Sequence, residues 1–231
     1  MVKPEFEEDS MKKIVYTFIL VTGLFFLTGE YSSILNAEGS HEIGIAGKIG
    51  YFVINGGDLK DPDFKDIFGN YDGNGLMLGG ELDFYFNRMI ALAFMVDYYN
   101  EEENLSLLGY SASINQKMVP LSFNVKVRLP LPIIKPYFGG GIGLYFWNAE
   151  AVFKGEDIDK DFAKDGSEIG VNVFGGIQLH PGTLISLFGE VRYHYLGDLK
   201  FVDRESLTFL SDTIRTDLSG IQVSGGVLIS F

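Results

Sequence analysis

Cysteine is absent from the 231-residue chain, which excludes disulfides, thiolate catalysis, Cys-based zinc sites and a lipidated N-terminal cysteine. Proline is scarce, with 7 residues, and there is 1 tryptophan. Positive charge is also in short supply, since 18 Lys and Arg stand against 31 Asp and Glu, for a net charge of −13. Because a nucleic-acid backbone attracts a basic surface, this balance argues against a nucleic-acid partner.

Glycine and aromatic residues, by contrast, are abundant. The chain has 29 Gly, 20 Phe and 12 Tyr, a mixture typical of strands joined by turns. One long apolar run, residues 14–27, follows Lys12 and Lys13. Its apolar core of about 15 residues is shorter than the ~20 residues of a membrane-spanning helix. The pattern therefore predicts a secretory signal peptide, with an uncleaved anchor as the alternative.

The signal peptide sets the predicted domain organisation. Met11 is the predicted natural start, because the acidic residues 1–10 precede the positive region. Ala37 occupies a plausible position just before the cleavage point. We therefore expect an N-terminal extension plus signal peptide over residues 1–37 and one domain over residues 38–231.

Eight segments of this domain alternate between apolar and polar residues with a period of two, the pattern of strands with one apolar face. Each segment has about 10–12 residues, whereas a globular strand has ~5–6 and a tilted strand crossing a bilayer needs ~9–11. The length therefore favours a transmembrane barrel over a soluble sandwich. The segments are residues 43–53, 76–86, 90–99, 119–129, 136–147, 169–179, 185–195 and 221–231.

The connections between these segments alternate strictly between short and long. An eight-stranded antiparallel up-and-down transmembrane β-barrel gives this pattern, with short periplasmic turns and long extracellular loops. The loops, taken as residues 55–75, 100–117, 154–168 and 198–219, hold 19 acidic and 9 basic residues. We expect nearly all of the net negative charge to lie in them, where it could contact an extracellular ligand.

Charged residues within the segments fall only on the face opposite the apolar stripe. We expect them to point into the lumen and form ion pairs there, because an unpaired buried charge is costly. Lys48 is expected to reach Glu81 or Asp83 from a neighbouring strand, and Asp97 to approach strand four. The lumen ion-pair candidates are Lys48, Glu81, Asp83, Asp97, Lys126, Arg128, Glu190 and Arg192.

The C-terminal segment ends on "VLISF", with Val227, Ile229 and Phe231 in one apolar stripe that we expect to face lipid. Together with the stretch "VPLSFNVKVRLPLPIIKPYFGGGIGLYF", the predicted mature chain resembles the small eight-stranded outer-membrane barrels of the OmpA, OmpX and OmpW type. The resemblance implies a place in a Gram-negative-type cell envelope, in contact with outer-membrane lipid. It also implies that Val227, Ile229 and Phe231 form an assembly signal for the barrel-assembly machinery, after delivery by periplasmic chaperones. We expect a monomer.

Three function classes fit this resemblance. The leading interpretation is a structural, surface-interaction or adhesin-like protein and not a general porin, because an eight-stranded interior is normally filled by side chains. The alternative is OmpW-like transport of small hydrophobic molecules, with lateral exit from the barrel. A lipid-modifying enzyme is the second alternative, but Ser186 and His194 on segment seven lie about 26 Å apart along one strand. They cannot act together, so no catalytic residue and no cofactor are predicted.

A calcium loop is the one metal site that the sequence raises. Its spacing is matched by Asn70, Asp72, Asn74, Gly75 and Glu81, although the first position is Asn and not Asp. Glu81, however, lies well inside the second segment and is expected to point into the lumen. The prediction is therefore a Gly-rich loop that runs into a strand, without a metal.

Overall fold

The computed structural model describes residues 42–55, 74–107, 110–154, 159–181, 184–196, 198–202 and 214–231. The predicted signal peptide with Met11 and Ala37 lies outside these residues, so the division at residue 37 stays a prediction. Within the described ranges, no helix is long and apolar enough to span a membrane.

Ten strands make up the described structure. Eight of them close into an antiparallel barrel in the order β1-β10-β7-β6-β5-β4-β3-β2, and β8 and β9 form a separate two-stranded sheet. The predicted all-β, eight-stranded fold is therefore confirmed. The strands are β1 Glu42–Ile54, β2 Asn74–Tyr85, β3 Ile90–Leu107, β4 Tyr110–Arg128, β5 Ile134–Lys154, β6 Asp159–Leu179, β7 Ile185–Tyr195, β8 Asp198–Val202, β9 Ile214–Asp217 and β10 Gly220–Ser230.

The first and last barrel strands pair with each other and close the sheet. Their register runs from Gly44 opposite Ser230 to Ile54 opposite Gly220. Beyond it, the backbone N–H of Ile43 donates to Phe231 O at 3.1 Å and the N–H of Phe231 donates to Ile43 O at 2.9 Å. A closed barrel satisfies its backbone groups without water, as a lipid environment requires.

The connections are short at one end of the barrel, as predicted: residues 86–89 separate β2 from β3, residues 129–133 separate β4 from β5, and five residues separate Leu179 of β6 from Ile185 of β7. At the other end, two predicted loops prove to be largely strand. β3 and β4 continue to Leu107 and Tyr110, and β5 and β6 continue to Lys154 and Asp159. Above the membrane both sheet faces meet water, so apolar alternation no longer marks a strand although the backbone remains paired. This is why the loops over 100–117 and 154–168 were predicted wrongly.

The barrel exterior is apolar and its interior is polar or tightly packed, the reverse of a soluble barrel. On the outward face, for example, Ile169 is 77% and Val173 is 60% exposed, while the inward neighbour Asn172 is buried. Exposed aromatic side chains lie toward both ends of this band, including Tyr51 and Phe231. Such a surface is suited to lipid, and the eight barrel strands therefore form a transmembrane barrel.

Candidate functional site

The lumen holds the predicted charged residues, and Lys126 lies at the centre of one group. Its ammonium group contacts the carboxylate of Glu81 and lies 2.8 Å from Asp83 Oδ2. Glu81 and Asp83 belong to β2 and Lys126 belongs to β4. Since β3 lies between these strands, the Lys126 side chain reaches across β3. All three are buried, so one ammonium group serves two carboxylates.

Lys48 does not pair as the sequence suggested. Its Nζ lies 3.2 Å from Asp97 Oδ1, and both side chains are buried. The register explains this choice, because Lys48 lies opposite Gly79 and Gly79 lies opposite Asp97. Gly79 has no side chain, so Lys48 extends across β2 to β3 and leaves Glu81 and Asp83 to Lys126.

Arg192 forms a third group and is among the largest fully buried side chains. Its Nη2 lies 2.8 Å from Glu190 Oε1, and its Nη1 donates to Asn172 Oδ1 at 2.6 Å. The guanidinium lies 4.0 Å from the ring centroid of Phe174, a cation–π arrangement. Arg192 Nη2 is also 3.8 Å from Glu81 Oε2, which links this group to that of Lys126.

Arg128 pairs with a residue that the sequence analysis missed. Its Nη1 and Nη2 donate to the two carboxylate oxygens of Glu42 at 3.2 and 2.8 Å, and it lies 3.9 Å from the ring centroid of Tyr85. Glu42 immediately precedes the first predicted segment. Its even number places it on the same face as Lys48, so extending the alternation by one residue would have identified it.

An aromatic layer fills the extracellular part of the lumen. Phe52 and Tyr99 meet edge to face with ring centroids 5.1 Å apart. Tyr145 and Trp147 complete the layer, and the hydroxyl of Tyr145 lies 2.9 Å from His194 Nδ1. Apolar neighbours within this layer are Ile54, Met118, Ala149, Leu196 and Leu218.

Inward glycines make room for this layer. A Cβ on Gly143 would approach Tyr145 to 2.9 Å, and one on Gly166 would approach Trp147 to 2.8 Å. Two small cavities lined by described residues lie in the lumen, each of about 10 Å³, which is the space of roughly one water molecule. Within the described residues, side chains therefore fill both the aromatic and the charged parts of the lumen.

Ser186, Glu190 and His194 of β7 each contact a different partner and do not contact one another. Ser186 Oγ lies 2.7 Å from His180 Nδ1, Glu190 binds Arg192, and His194 Nε2 lies 2.8 Å from the side-chain oxygen Oε1 of Gln222. Slight burial, followed by the charge of Lys135, lowers the pKa of His180, which keeps its ring neutral at pH 7. The Ser186–His180 contact joins two short-turn neighbours that the sequence analysis did not connect.

The residues that match the calcium-loop spacing do not form one site among the described residues. Asn74 and Gly75 belong to β2, and the carboxylate of Glu81 is bound to Lys126 inside the lumen. Asn70 and Asp72 lie outside the described residues. In the part of the chain that the structure describes, no three acidic, His or Cys side chains cluster as a metal site would need.

The predicted assembly signal lies on the outward face of β10 and its end. Val227, Ile229 and Phe231 are all exposed toward the lipid side, in the stripe that the sequence indicated. Phe231 also makes the backbone hydrogen bonds that close the barrel. Its side chain and its backbone therefore occupy the seam between β1 and β10.

No family model matches the chain, and no curated protein matches its sequence. Solved structures do match. The outer membrane protein OprG from Pseudomonas aeruginosa superposes with a TM-score of 0.55 at 13% identity, covering 84% of this chain and 97% of that chain. Neisserial surface protein A gives a TM-score of 0.51 at 14% identity, covering 82% of this chain and 97% of that chain. The protein thus has the fold of the small eight-stranded outer-membrane β-barrels.

Proposed function

We propose that this protein acts at the cell surface, as a structural, surface-interaction or adhesin-like barrel and not as a general porin. The observation that supports the proposal is the length of four adjacent strands. β3, β4, β5 and β6 have 18, 19, 21 and 21 residues, about twice the ~9–11 that a membrane crossing needs. The other four barrel strands have 11 to 13 residues.

The surplus length forms one continuous sheet beyond the barrel. Leu107 lies opposite Tyr110, Ser111 opposite Lys154, and Lys154 opposite Asp159, so all four strands stay paired to their tips. Among the described residues, the outermost pair between β6 and β7 is Val171 with Tyr195. The outer part of β6 therefore presents its backbone N–H and C=O groups as a sheet edge.

Charged side chains of both signs are exposed on this projecting sheet. Glu102, Glu150, Lys154 and Lys164 are exposed on it. An edge of backbone donors and acceptors beside mixed charges suits contact with a protein or glycan outside the cell. The filled lumen below it supports a role of the projecting sheet and opposes general diffusion through the barrel.

The test removes the projecting sheet and keeps the barrel. Replacing residues 101–116 and residues 150–163 each by a two-residue Asn-Gly turn preserves the register, because Glu101 lies opposite Gln116 and Glu150 lies opposite Ala163. Proteoliposomes with each form would be applied to immobilised extracellular-matrix proteins and glycans. We expect the full protein to bind a subset and the shortened barrel to lose that binding. Equal binding by both, with the heat-modifiable gel shift retained in both, would contradict the proposal.

A second candidate, transport of small hydrophobic molecules with lateral exit, has support from one break in the sheet. Cα partners between β3 and β4 run up to Val96 opposite Leu121 and resume at Tyr99 opposite Met118. Pro120 lies in this gap and has no N–H to donate. On the outward face of the sheet, apolar side chains cover the gap. Val119 is fully buried there, against Tyr98 and Phe146.

A crosslink across the gap tests transport. The chain has no cysteine, so Tyr98→Cys with Val119→Cys creates a defined pair. If the gap is an exit, oxidation abolishes uptake of a hydrophobic dye into vesicles and reduction restores it. Uptake that is absent in the wild-type protein, or unchanged by the crosslink, would remove this candidate.

A further inference from the structure

Among the described residues, the charged part of the lumen below the aromatic layer contains an odd number of charges. Four carboxylates and three cationic groups lie there, none more than 5% exposed. Glu101 is also buried but lies farther along β3, beyond Tyr99, whose hydroxyl donates to it at 2.6 Å. Arg128 is compensated separately by Glu42 near the short-turn end. If every group were ionised, the enclosed set would carry one excess negative charge. Its members are Glu81, Asp83, Asp97 and Glu190 on the acidic side and Lys48, Lys126 and Arg192 on the basic side.

The contacts locate the excess. Lys48 is bound to Asp97 and Arg192 to Glu190, so these two carboxylates each have a cation. Glu81 and Asp83, two residues apart on β2, both converge on the ammonium group of Lys126. Two carboxylates that share one compensating charge do not both ionise readily, because one of them takes up a proton instead.

A small cavity adjoins this pair. It has a volume of about 10 Å³ and is lined in part by Glu81, Asp83, Lys126 and Gln178. Glu81 Oε2 is buried and has no hydrogen-bond partner among the described residues. A buried carboxylate oxygen without a donor is costly. The O–H of a protonated carboxyl group would supply the donor, either directly or through a water molecule in this cavity.

We propose that the Glu81–Asp83 pair is a proton-binding site, with one proton held on Asp83 at neutral pH so that the enclosed charges balance. Asp83 is the holder because Glu81 has a second cation, Arg192, at 3.8 Å. The other polar neighbour of Asp83 is the hydroxyl of Tyr85, 3.2 Å from Oδ2.

The groups that the surrounding strands direct toward the pair fit this assignment. β6 and β10 contribute only the neutral Gln178 and Leu228 to the cavity. The titratable and charged groups that face the pair are Lys48 of β1, Tyr85 of β2, Asp97 of β3, Lys126 and Arg128 of β4, Tyr137 of β5, and Glu190 and Arg192 of β7.

Infrared spectroscopy of the barrel in lipid vesicles tests the proposal. At neutral pH we expect a carbonyl band of a protonated carboxylic acid that shifts in heavy water. The band should disappear in Asp83→Asn. It should also disappear in Glu81→Gln, because Asp83 then has Lys126 to itself and ionises. The matched control is Glu102→Gln, a change of an exposed carboxyl group on β3, which should keep the band.

A second measurement follows from the same proton. Because the folded protein binds a proton that the unfolded chain releases at neutral pH, the stability of the wild-type barrel should fall as the pH rises. This decline should begin at about pH 4, where Asp in an unfolded chain titrates, and end at the pH at which the folded pair releases its proton; the urea midpoint of Asp83→Asn should lack it. Absence of the acid band overturns the proposal, as does its survival in both Asp83→Asn and Glu81→Gln. A wild-type midpoint that depends on sodium or potassium ions, without the band, would assign the balancing charge to a bound monovalent cation instead.

Discussion

Lys48 and Asp97 form a buried ion pair that reaches across an intervening strand, with Nζ and Oδ1 3.2 Å apart. The residue between them in the sheet is Gly79. A Cβ at that position would collide with the Asp97 carboxylate and lie 3.0 Å from Lys48 Cε. The pair therefore exists because the position between its members has no side chain.

Substitution of Gly79 should break this pair. We expect Gly79→Ala to lower the free energy of unfolding by about 3–5 kcal/mol, the usual effect of separating a buried ion pair. Urea unfolding followed by fluorescence of the single tryptophan, Trp147, measures it. Gly47→Ala is the control, since a Cβ there meets nothing within 4 Å. Equal midpoints for the two variants would show that the pair contributes no stability.

Removal of one partner of Arg192 should also destabilise the barrel. In Glu190→Ala the buried guanidinium loses its nearest carboxylate, and we expect a loss of about 3–5 kcal/mol. Arg128→Ala should act in the same direction by leaving Glu42 without its partner. Glu102→Ala, on the exposed end of β3, should leave the urea midpoint unchanged. Full stability in both lumen variants would mean that water hydrates these charges.

The C-terminal aromatic residue should matter more for assembly than for packing. Phe231→Ser removes roughly 1.5–3 kcal/mol of apolar burial, yet we expect the variant to accumulate unfolded in the periplasm. The level of the heat-modifiable band in outer-membrane fractions measures this. Phe138→Ser, the same change at another exposed aromatic position, is the comparison and should assemble normally. Wild-type levels of the Phe231 variant would refute the assembly role.

The barrel should not conduct ions steadily. Among the described residues, the aromatic layer around Trp147 and the ion pairs below it each line a cavity of about 10 Å³, the space of roughly one water molecule. Purified protein in planar bilayers is therefore expected to show no stable channel steps. Steady conductance of the unmodified protein would favour transport over the surface role.

Trp147 should also be important for stability. It is buried in the aromatic layer at the extracellular end of the lumen. Gly166 leaves room for its indole ring, since a Cβ at that position would lie 2.8 Å from it. Trp147→Ala is expected to cost about 3–5 kcal/mol through the cavity it leaves. Differential scanning calorimetry or loss of the heat-modifiable band at lower temperature would measure this, since the variant has no tryptophan to report. An unchanged transition would mean that neighbouring side chains refill the space.

The membrane-level strands could be predicted closely because lipid on one side imposes strict alternation. The segment 185–195 coincides with β7 and 43–53 falls inside β1. The tips of β3 to β6 could not be predicted in this way, because water on both faces removes the alternation. The barrel topology followed from the alternating lengths of the connections.

The lumen was predictable in composition but not in pairing. Even-numbered positions placed Lys48 inside correctly, but its partner depends on the register of two further strands and on the missing side chain of Gly79. The inward aromatic layer was also hard to foresee. Phe52 and Tyr99 lie inside although a polar-inside rule assigns apolar residues to lipid, because a lumen without water must be filled by volume as well as by charge.

The seam between Ile43 and Phe231 joins the two residues that lie farthest apart in the sequence among the barrel's hydrogen-bonded partners. Bringing such distant residues together carries the largest loop-closure entropy of any contact in the sheet, and non-local pairings of this kind slow folding. Every other strand pairing of the barrel joins strands that follow each other in the order of the barrel strands along the chain. We therefore expect the seam to be the last part of the sheet to form, with β1 as an open edge until the final strand pairs with it.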